Sequence, residues 1–466
     1  MRDLSRIVKA YDVRGLVPEE FDADIARALG VAFAEVVGTP GVPVVVGRDM
    51  RESSRPLADA FAAGVTSRGY DVVDIGLAST DEVYFASGRL DAPGAMFTAS
   101  HNPARYNGVK LCRRGAAPVG QDTGLAEIRA LAEAELAGTL LPAPAAAGTV
   151  TCTDLLPDYA DHLRTLVDLS GSRPLRVVVD AGNGMGGHTV PGVFAGLPLA
   201  LVPLYFELDG NFPNHEANPI DPANLVDLAK AVVEHGADLG LAFDGDADRC
   251  FVVDERGEAV SPSALCALIA TRELARSPGS SVVHNLITSR AVPEFVTEHG
   301  GTPVRTRVGH SFIKAVMAQT DAVFGGEHSG HFYFRDFWFA DSGMLAALHV
   351  LAALGSAPEG TRLSTLVGGF SRYVESGEIN STVADPADSL ETVRKAWADR
   401  DGVTVDFLDG LTVTGPGAWF NVRPSNTEPL LRLNVEAVDA ARLDAVRDEV
   451  LATIRAGGAA TGTGGT

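Results

Sequence analysis

The sequence predicts several consecutive α/β domains followed by a smaller α+β unit. Short runs of Val, Ile and Leu alternate with Ala-rich stretches of helical period, as in VPVVVG, then SSRPLADAFAAGVTSRG, then YDVVDIG. This alternation is typical of strands and helices in α/β units. It returns at LRVVVDAGNGMGG, ADLGLAFDGDADRCFVVDE and SVVHNLITSRAVPEFVTEHGG, and gives way after residue 368 to short strands such as LTVTG and LLRLNVEA. A chain of 466 residues has room for about three domains of roughly 150 residues each.

Composition predicts where these domains begin and end. Residues 136–151, LAGTLLPAPAAAGTVT, are uncharged and rich in Pro, Ala and Gly, as segments between domains often are. The helix DLLPDYADHLRTLVDL then opens the second unit. We therefore expect domains at 1–150, 151–256, 257–367 and 368–455. The last eleven residues, AGGAATGTGGT, predict a disordered tail at 456–466.

Charge and cysteine usage exclude several classes of protein. The chain has 60 acidic and 38 basic residues, a net charge of -22, which repels nucleic acid and anionic lipid over most of the surface. Any bound phosphate therefore needs a local basic cluster. Four cysteines without a CxxC pair favour reduced thiols over a disulfide framework or a zinc site. Without an apolar run near the roughly 18 residues of a membrane span, or a signal-peptide core, we expect a soluble, cytoplasmic protein.

The first candidate site is the loop Thr98–Pro103, TASHNP, which follows the predicted strand Ala95–Phe97. Ser100 is a candidate nucleophile, although Ser and Asn in such a loop also form simple Asx or ST turns. Lys110 follows Tyr106-Asn107-Gly108 and can return beside the same loop to assist a transferring group.

The second candidate is a metal site at Asp244, Asp246 and Asp248, directly after the predicted strand Leu239–Phe243. Alternate residues of an extended chain point the same way, so these carboxylates converge and repel one another unless a cation is present. A hard divalent ion such as Mg²⁺ resolves that conflict. An EF-hand has similar spacing, with Glu255 twelfth, but Arg249 stands where that loop needs Gly and the flanks predict strands.

The third candidate, Gly182–Gly187, fits the G-x-G-x-x-G pattern of dinucleotide-binding enzymes. It follows a predicted strand and has an acidic residue, Glu207, about twenty residues later. An NAD(P)-dependent oxidoreductase is therefore a rival hypothesis. The polar stretch NFPNHEANP, however, stands where such a unit continues with a helix.

Two further polar loops favour sugar phosphate recognition. In GEHSGH, Glu327 and Ser329 can pair with vicinal hydroxyls, and the glycines allow close backbone approach. His328 and His331 lack nearby partners at zinc-site spacing. In RPSNT, Arg423 with Ser425, Asn426 and Thr427 can form a phosphate cradle, because a guanidinium binds phosphate bidentately. Polar turns are the alternative interpretation of both.

In this order, TASHNP with YNGVK, DGDADR, GEHSGH and RPSNTEP resemble the four signature loops of the α-D-phosphohexomutase superfamily. The opening KAYDVRG also resembles that family's first segment, and the closest similarity is to the bacterial phosphomannomutase/phosphoglucomutase group. The resemblance implies three similar mixed α/β domains plus a C-terminal α+β domain around a central cleft, with one loop from each domain.

The resemblance also implies roles for individual residues. Ser100 would carry the phosphoryl group, and it would bind Mg²⁺ together with Asp244, Asp246 and Asp248. Lys110 and His331 are the acid/base candidates, and Arg249 and His101 complete the catalytic set. Glu327 and Ser329 would bind sugar hydroxyls. The remaining substrate-binding residues would be Tyr11, Arg14, His310, Arg423, Ser425, Asn426 and Thr427.

The implied reaction interconverts hexose 1-phosphates and 6-phosphates through a phosphoserine and a 1,6-bisphosphate, with glucose or mannose 1,6-bisphosphate as activator. We expect mannose and glucose phosphates as substrates, with glucosamine phosphate as the alternative. A sugar-phosphate or Ca²⁺ binding protein is a non-enzymatic alternative. The segment HNLITS lacks the cleft lysine that related enzymes often have, so that contact is missing or comes from Lys314. Monomer and homodimer both remain open.

Overall fold

Four β-sheets, each with its own helices, follow one another along the chain. The computed structural model describes residues 2–140, 146–424 and 430–457. Ser425, Asn426 and Thr427 of the predicted phosphate cradle therefore lie outside the described residues, as do 458–466 of the predicted tail. Within the described part, no helix has both the length and the apolar composition that crossing a bilayer requires.

The first α/β domain has a six-stranded sheet in the order β1-β5-β4-β2-β3-β6. Strands β4, β2, β3 and β6 are parallel to one another, while β5 runs antiparallel to both β4 and β1. The first predicted domain boundary, between residues 150 and 151, falls inside β6. This strand belongs to the sheet of the first domain, because it pairs with β3. The elements are β1 Val13–Leu16, α1 Ala23–Val37, β2 Val44–Arg48, α2 Ser54–Ser67, β3 Val72–Leu77, α3 Thr80–Leu90, β4 Gly94–Phe97, β5 Tyr106–Cys112, α4 Leu125–Leu136 and β6 Val150–Cys152.

The second α/β domain has a four-stranded sheet in the order β10-β9-β7-β8. Strands β9, β7 and β8 are parallel, and β10 returns antiparallel beside β9. This return leaves the loop Asp244–Arg249 between two buried strands, as the sequence predicts. The elements are α5 Leu156–Leu166, β7 Leu175–Asp180, α6 Gly186–Phe194, β8 Leu199–Leu204, α7 Val226–His235, β9 Leu239–Phe243 and β10 Cys250–Asp254.

The third α/β domain has a five-stranded sheet in the order β12-β11-β13-β14-β15. Its first three strands are parallel, and β14 and β15 continue the sheet antiparallel. The elements are α8 Pro262–Arg276, β11 Ser281–Asn285, α9 Ala291–Glu298, β12 Thr302–Thr306, α10 His310–Thr320, β13 Phe324–Gly326, β14 Phe332–Phe334, β15 Ala340–Asp341, α11 Gly343–Gly355 and α12 Leu363–Gly368.

The C-terminal domain is an antiparallel five-stranded sheet, ordered β16-β20-β19-β18-β17, packed against two helices. The predicted fold class, three α/β domains plus a C-terminal α+β domain, is thereby confirmed. Helix α14 continues to Gly457, two residues into the segment predicted as a tail. The elements are β16 Val374–Thr382, α13 Pro386–Trp397, β17 Thr404–Asp406, β18 Leu411–Gly415, β19 Ala418–Pro424, β20 Leu430–Ala437 and α14 Ala440–Gly457.

A cleft of about 720 Å³ lies where the first, third and C-terminal domains meet. Lys9 and Tyr11 line it from the first domain, Gly309 from the third, and Arg423 and Arg432 from the C-terminal domain. The four cysteines are all unpaired, and only Cys152 is exposed.

Candidate active site

The loop after β4 and the loop after β9 meet at one point, although they are far apart in sequence. Both follow buried strands, which place their polar residues at strand ends. The Ser100 hydroxyl donates a hydrogen bond of 2.8 Å to Oδ2 of Asp244. The predicted nucleophile of the first domain therefore lies against the predicted metal loop of the second.

The backbone of Ser100 is strained and tightly held. Its φ of 50° lies in the left-handed region, which costs a non-glycine residue about 1 kcal/mol or more. Two contacts hold this conformation: the Ser100 amide donates to Thr98 Oγ1 at 2.9 Å, and the Arg51 guanidinium donates to the Ser100 carbonyl at 2.8 Å. Strain of this kind, over-determined by neighbours, is common where a side chain must be aimed.

Arg51 organises this whole loop, and sequence reasoning missed it. Its buried guanidinium donates to the carbonyls of Ser100, Asn102, Pro103 and Tyr106, and pairs with Asp49 at 3.1 Å. A signal was present in the sequence, because Arg51 follows shortly after the largely apolar strand β2, and an arginine buried there is costly unless it has local partners.

Close backbone approach joins the two loops at Gly245. A Cβ at this position would lie 2.3 Å from the carbonyl oxygen of Ser100, well inside van der Waals contact. Only glycine fits between Asp244 and Asp246 in this arrangement. The spacing of the three carboxylates thus depends on a residue that has no side chain.

Asp244, Asp246 and Asp248 have carboxylate oxygens within 4.8 Å of one another, and all three are buried. Oδ1 of Asp246 and Oδ1 of Asp248 have no hydrogen-bond partner among the described residues. Buried carboxylate oxygens without partners are costly. The three carboxylates together are a suitable donor set for a hard divalent cation. The residues present therefore fit a Mg²⁺ ion.

Two cations already flank the three carboxylates. Lys110 Nζ lies 2.7 Å from Asp246 and 2.5 Å from Asp248, and Arg249 lies 2.7 Å from Asp244. Burial alone would lower the pKa of Lys110, but the attraction of Asp246 and Asp248 outweighs it and raises the pKa, so Lys110 stays charged. When all three carboxylates are ionised, these five groups together have one net negative charge, and a bound divalent ion would make that net charge positive.

The carboxylates respond differently to this environment. Burial raises the pKa of Asp244 to about 7, against the opposing attraction of Arg249. Burial also acts on Asp246, but Lys110 and the hydroxyl of Thr80 outweigh it and lower the pKa of that carboxyl. Thr80 donates to Asp246 at 2.5 Å from the first turn of α3, a contact that the sequence did not reveal.

His101 is held neutral beside Ser100. Its Nδ1 lies 2.6 Å from the Arg249 guanidinium and 3.2 Å from the Ser100 hydroxyl. Burial, followed by the positive charge of Arg249, lowers the pKa of His101 well below its ordinary value. Because arginine can only donate, Nδ1 is the acceptor, and the ring can orient the guanidinium toward Ser100.

His331 lies close to the carboxylate cluster on the side of the third domain. Its Nδ1 is 3.0 Å from Asp341 Oδ2 and 3.9 Å from Asp248 Oδ1. Burial lowers its pKa, but the attraction of Asp248 and Asp341 outweighs that effect and raises it. Lys110 and His331 therefore both lie close to Asp248.

Glu327 is more buried than its predicted contact with sugar suggests. Oε1 accepts from Asn285 at 3.1 Å and from the Gly309 amide at 3.3 Å, and Oε2 accepts from the Tyr333 hydroxyl at 2.7 Å. These bonds fix the carboxylate at the edge of the cleft. Burial lowers the pKa of the neighbouring His328 to about 3, assisted by Arg423 and Arg432, so that imidazole is neutral. Ser329 is half-buried in the same loop.

The C-terminal domain contributes two guanidinium groups to the cleft. Arg423 and Arg432 both pair with Glu378, Arg432 at a distance of 3.3 Å. Nε of each arginine is buried without a hydrogen-bond partner among the described residues. Arg432 is absent from the sequence-based prediction, since nothing local distinguishes it from an ordinary strand arginine. The two guanidinium groups thus form a local basic cluster beside Glu378, and guanidinium groups are suited to binding phosphate.

Three further predicted cleft residues come from two domains, Tyr11 and Arg14 from the first and His310 from the third. The ring of Tyr11 meets that of His310 edge to face, 5.0 Å between centroids. Burial, followed by the charge of Lys314, lowers the pKa of His310 to about 3. Arg14 donates to Oδ1 of Asn102, and so connects the opening segment to the Ser100 loop.

The glycine-rich segment Gly182–Gly187 supports the metal loop. The Met185 amide donates to the Gly245 carbonyl at 2.9 Å, and a Cβ on Gly184 would lie 2.7 Å from that same oxygen. Asn183 bonds to the carbonyl of Glu207 and to the side chain of Asn214. Other parts of the protein therefore contact the segment Gly182–Gly187. These contacts explain the glycine-rich motif without a bound dinucleotide. The EF-hand alternative also fails, since Glu255 instead accepts from the backbone and hydroxyl of Ser364.

Four family models match this chain in succession. They describe the phosphoglucomutase/phosphomannomutase α/β/α domains I, II and III and the C-terminal domain, and they match residues 5–138, 157–257, 261–373 and 378–453. A phosphomannomutase from Escherichia coli is 40% identical over 455 residues, covering 96% of this chain and 98% of the relative.

Two further similarities extend over nearly the full length. A protein from Xanthomonas campestris pv. campestris described as "phosphohexose mutases" is 43% identical over 451 residues, with 96% and 98% of the two chains covered. A crystal structure of a phosphoglucomutase/phosphomannomutase family protein from Burkholderia thailandensis superposes with a TM-score of 0.87 at 34% identity, covering 98% of each chain.

Proposed function

This chain belongs to the phosphoglucomutase/phosphomannomutase family of phosphohexose mutases, and we propose that it interconverts mannose 1-phosphate and mannose 6-phosphate, and the glucose phosphates, through a phosphoserine at Ser100. One observation carries this proposal. A strained, buried serine hydroxyl lies 2.8 Å from the first of three converging carboxylates. That arrangement joins a nucleophile to a site for a divalent cation.

The carboxylates Asp244, Asp246 and Asp248, with an oxygen of the phosphorylated Ser100, would hold Mg²⁺. When bound, that ion neutralises charge on the phosphoryl group, which is what phosphoryl transfer chiefly demands. The chain's own cations act in the same sense, since Arg249 reaches the Ser100 hydroxyl at 3.5 Å and Lys110 lies across the same carboxylates.

In the first transfer, the free hydroxyl of the sugar monophosphate attacks the phosphorus of phosphoserine in line. His331 takes the proton of that hydroxyl, the bond between phosphorus and Ser100 Oγ breaks, and Lys110 returns a proton to Oγ. The product is a 1,6-bisphosphate. After it turns over in the cleft, the same steps run in reverse at the other phosphate, and Ser100 is phosphorylated again.

Reorientation needs a grip on the distal phosphate that can be released. Arg423 and Arg432 line the cleft, and their buried Nε atoms lack partners among the described residues. Ser425, Asn426 and Thr427 are proposed to complete this cradle. Glu327 and Ser329 are proposed to hold the hydroxyls of the sugar ring between the two phosphates.

Mannose phosphates are the preferred substrates in this proposal. The names of the relatives in Escherichia coli and Xanthomonas campestris, phosphomannomutase and phosphohexose mutases, support a mannose substrate and a broader hexose range. Glucose 1,6-bisphosphate or mannose 1,6-bisphosphate would serve as activator by phosphorylating Ser100.

The substrate is tested by incubating the purified protein with Mg²⁺ and a trace of glucose 1,6-bisphosphate. Mannose, glucose and glucosamine 1-phosphates are supplied separately, and each 6-phosphate is followed by phosphorus NMR. We expect conversion of the first two. Conversion of glucosamine 1-phosphate alone would preserve the mechanism and overturn the substrate, and conversion of none would overturn the proposal.

Ser100→Ala tests the nucleophile. We expect turnover to be lost with the fold retained, because Ala keeps the loop but removes the oxygen that carries phosphate. Ser170→Ala, at an exposed surface serine, is the matched control and should keep full activity. Mass spectrometry should find a phosphoryl group on the wild type and on the control but not on Ser100→Ala. Turnover by Ser100→Ala near the wild-type rate would remove Ser100 from the mechanism.

A further inference from the structure

Lys314 is a buried lysine on α10, and it contacts the same carboxylate, Asp341, as His331 does. Its side chain is only 3% exposed, and its Nζ lies 2.6 Å from Oδ1 of Asp341, which is equally buried. On its other side, Nζ lies 4.0 Å from the centroid of the Tyr84 ring, which comes from α3 of the first domain. A buried ammonium is costly unless it is paired, and here a carboxylate and an aromatic face share that task. Lys314 therefore does not supply the missing cleft lysine.

Asp341 uses its two oxygens for two different partners. Oδ1 faces Lys314, and Oδ2 lies 3.0 Å from Nδ1 of His331. A carboxylate can only accept, so the neutral His331 must carry its proton on Nδ1. The lone pair then resides on Nε2, which has no hydrogen-bond partner among the described residues.

We propose that Lys314 is a positioning residue, which acts through Asp341 to hold His331 in the Nδ1–H tautomer with Nε2 free to accept the proton of the substrate hydroxyl. The inference rests on the proposed function, because it assigns a task to His331 in that reaction. Lys314 fixes the orientation of the carboxylate, and the carboxylate in turn fixes that of the ring. The same logic, base oriented by a third group, recurs wherever an imidazole must present one chosen nitrogen.

A simpler reading is that the ion pair only fastens α10 to β15. That reading predicts that its loss lowers stability and leaves His331 as it was. The positioning role predicts instead a fall in turnover with little change in substrate affinity, because the buried side chain of Lys314 leaves almost no surface for a substrate to contact.

The kinetic test compares Lys314→Met with Lys230→Met. Methionine keeps the apolar stem against Tyr84 and removes the charge, and Lys230 is an exposed lysine on α7 that serves as the matched control. We expect Lys314→Met to lower kcat by about 10- to 100-fold with KM changed less than about twofold. Lys230→Met should match the wild type, and Lys314→Arg should restore most of the turnover. Wild-type kcat in Lys314→Met would overturn the inference.

The second test observes His331 directly and needs no turnover. Nitrogen-15 NMR of the histidine rings distinguishes Nδ1–H from Nε2–H, and the signals of His331 are identified by their loss in His331→Gln. We expect the wild type to show the Nδ1–H form, and Asp341→Asn and Lys314→Met to show a mixture. An unchanged tautomer in both variants would contradict the positioning role, even if one of them proved too unstable for kinetics.

These readouts separate the inference from the proposed function. If no hexose phosphate is converted by the wild type, the function fails while the tautomer still reports whether Lys314 and Asp341 orient His331. If the wild type is active and the tautomer does not respond, the function stands and the inference fails.

Discussion

Asp81 and Glu82 are adjacent carboxyl groups in the first turn of α3, and both are almost fully buried. Asp81 accepts hydrogen bonds from Tyr159 of the second domain at 2.7 Å and from Ser342 of the third at 2.6 Å. Glu82 Oε2 has no such partner among the described residues. Burial, followed by repulsion from Asp81, raises the pKa of Glu82 from 4.5 to about 8. This residue therefore carries a proton at neutral pH.

The stability of the protein should fall as Glu82 loses that proton. Because its pKa is higher in the folded state, its contribution is fully present below about pH 4.5 and is lost as the pH rises through about 8. Glu82→Gln removes the titration while keeping the shape. We expect the free energy of unfolding of this variant, relative to wild type, to rise by about 2 kcal/mol between about pH 6 and about pH 9.

Urea denaturation at the two pH values measures this difference, with the exposed Glu52→Gln as control. Asp81 adds a smaller effect of the same sign in both proteins, since burial raises its pKa to about 6. An advantage of Glu82→Gln that did not grow with pH would show that Glu82 is already ionised at neutral pH.

Helix α6 and the glycine-rich turn before it act as one structural element beneath the metal loop. Gly184 lies so close to Gly245 that its missing side chain is required, and the Met185 amide bonds to the same carbonyl. In a dinucleotide-binding enzyme the corresponding backbone faces a pyrophosphate. Here it faces another loop of the protein, so the motif reports only a tight strand-to-helix turn.

Gly184→Ala should therefore displace the metal loop, because the added methyl group would collide with its backbone. The added Cβ would lie 2.7 Å from the Gly245 carbonyl, and we expect the free energy of unfolding to fall by about 1–3 kcal/mol and turnover to fall with it. Gly192→Ala, in the helix α6 that follows this turn, would place its Cβ no nearer than 3.6 Å to a neighbouring side chain and should be neutral or stabilising by up to about 1 kcal/mol. Thermal unfolding and turnover of both variants decide this. Equal behaviour of the two would show that the turn does not support the metal loop.

Local sequence predicted the elements that carry the site. Strand β9 was expected at Leu239–Phe243, where the structure has it, and the helix DLLPDYADHLRTLVDL contains α5. Polar loops at strand ends are visible in sequence because a short continuous apolar run, such as Leu239–Phe243, stops abruptly at polar residues. The convergence of Ser100 with Asp244 followed from the family resemblance, because no local pattern brings together residues 144 positions apart.

The supporting contacts could not be predicted in this way. Thr80 and Asp246 are 166 positions apart, and Ser342 and Asp81 are 261 apart. Lys314 belongs to an ordinary amphipathic helix, and its burial depends on Tyr84 and Asp341, which other segments supply. A residue's task in such cases is set by partners that the chain brings in from elsewhere, and periodicity contains no record of them.

The three α/β domains share an apolar core, and the C-terminal domain has a separate one. One continuous apolar cluster runs through the three α/β domains, from Val45 to Val367, whereas the C-terminal domain has its own core. Between the third and C-terminal domains, Leu286, Ile287 and Trp419 form a small apolar cluster. Other described contacts between these two domains are polar, such as Arg290 with Glu436 at 3.2 Å and the Val308 amide with Asp409 at 3.1 Å.

The C-terminal domain should therefore open before the other three. A shared apolar core makes the α/β domains unfold together, while partly exposed ion pairs hold the last domain and are weakened by salt. Hydrogen exchange in increasing urea should show the amides of β18, β19 and β20 exchanging at lower urea than those of β7 and β9.

In about 1 M salt the difference in urea concentration between the two sets of strands should widen, because screening acts on Arg290 and Arg305 at the interface and leaves the buried cluster unaffected. Arg290→Gln should widen it at low salt, and Arg55→Gln, on the surface of α2, should not. If all five strands instead exchanged together in every condition, the polar interface would be as strong as the shared core, and release of a bound phosphate by movement of the last domain would require opening the whole molecule.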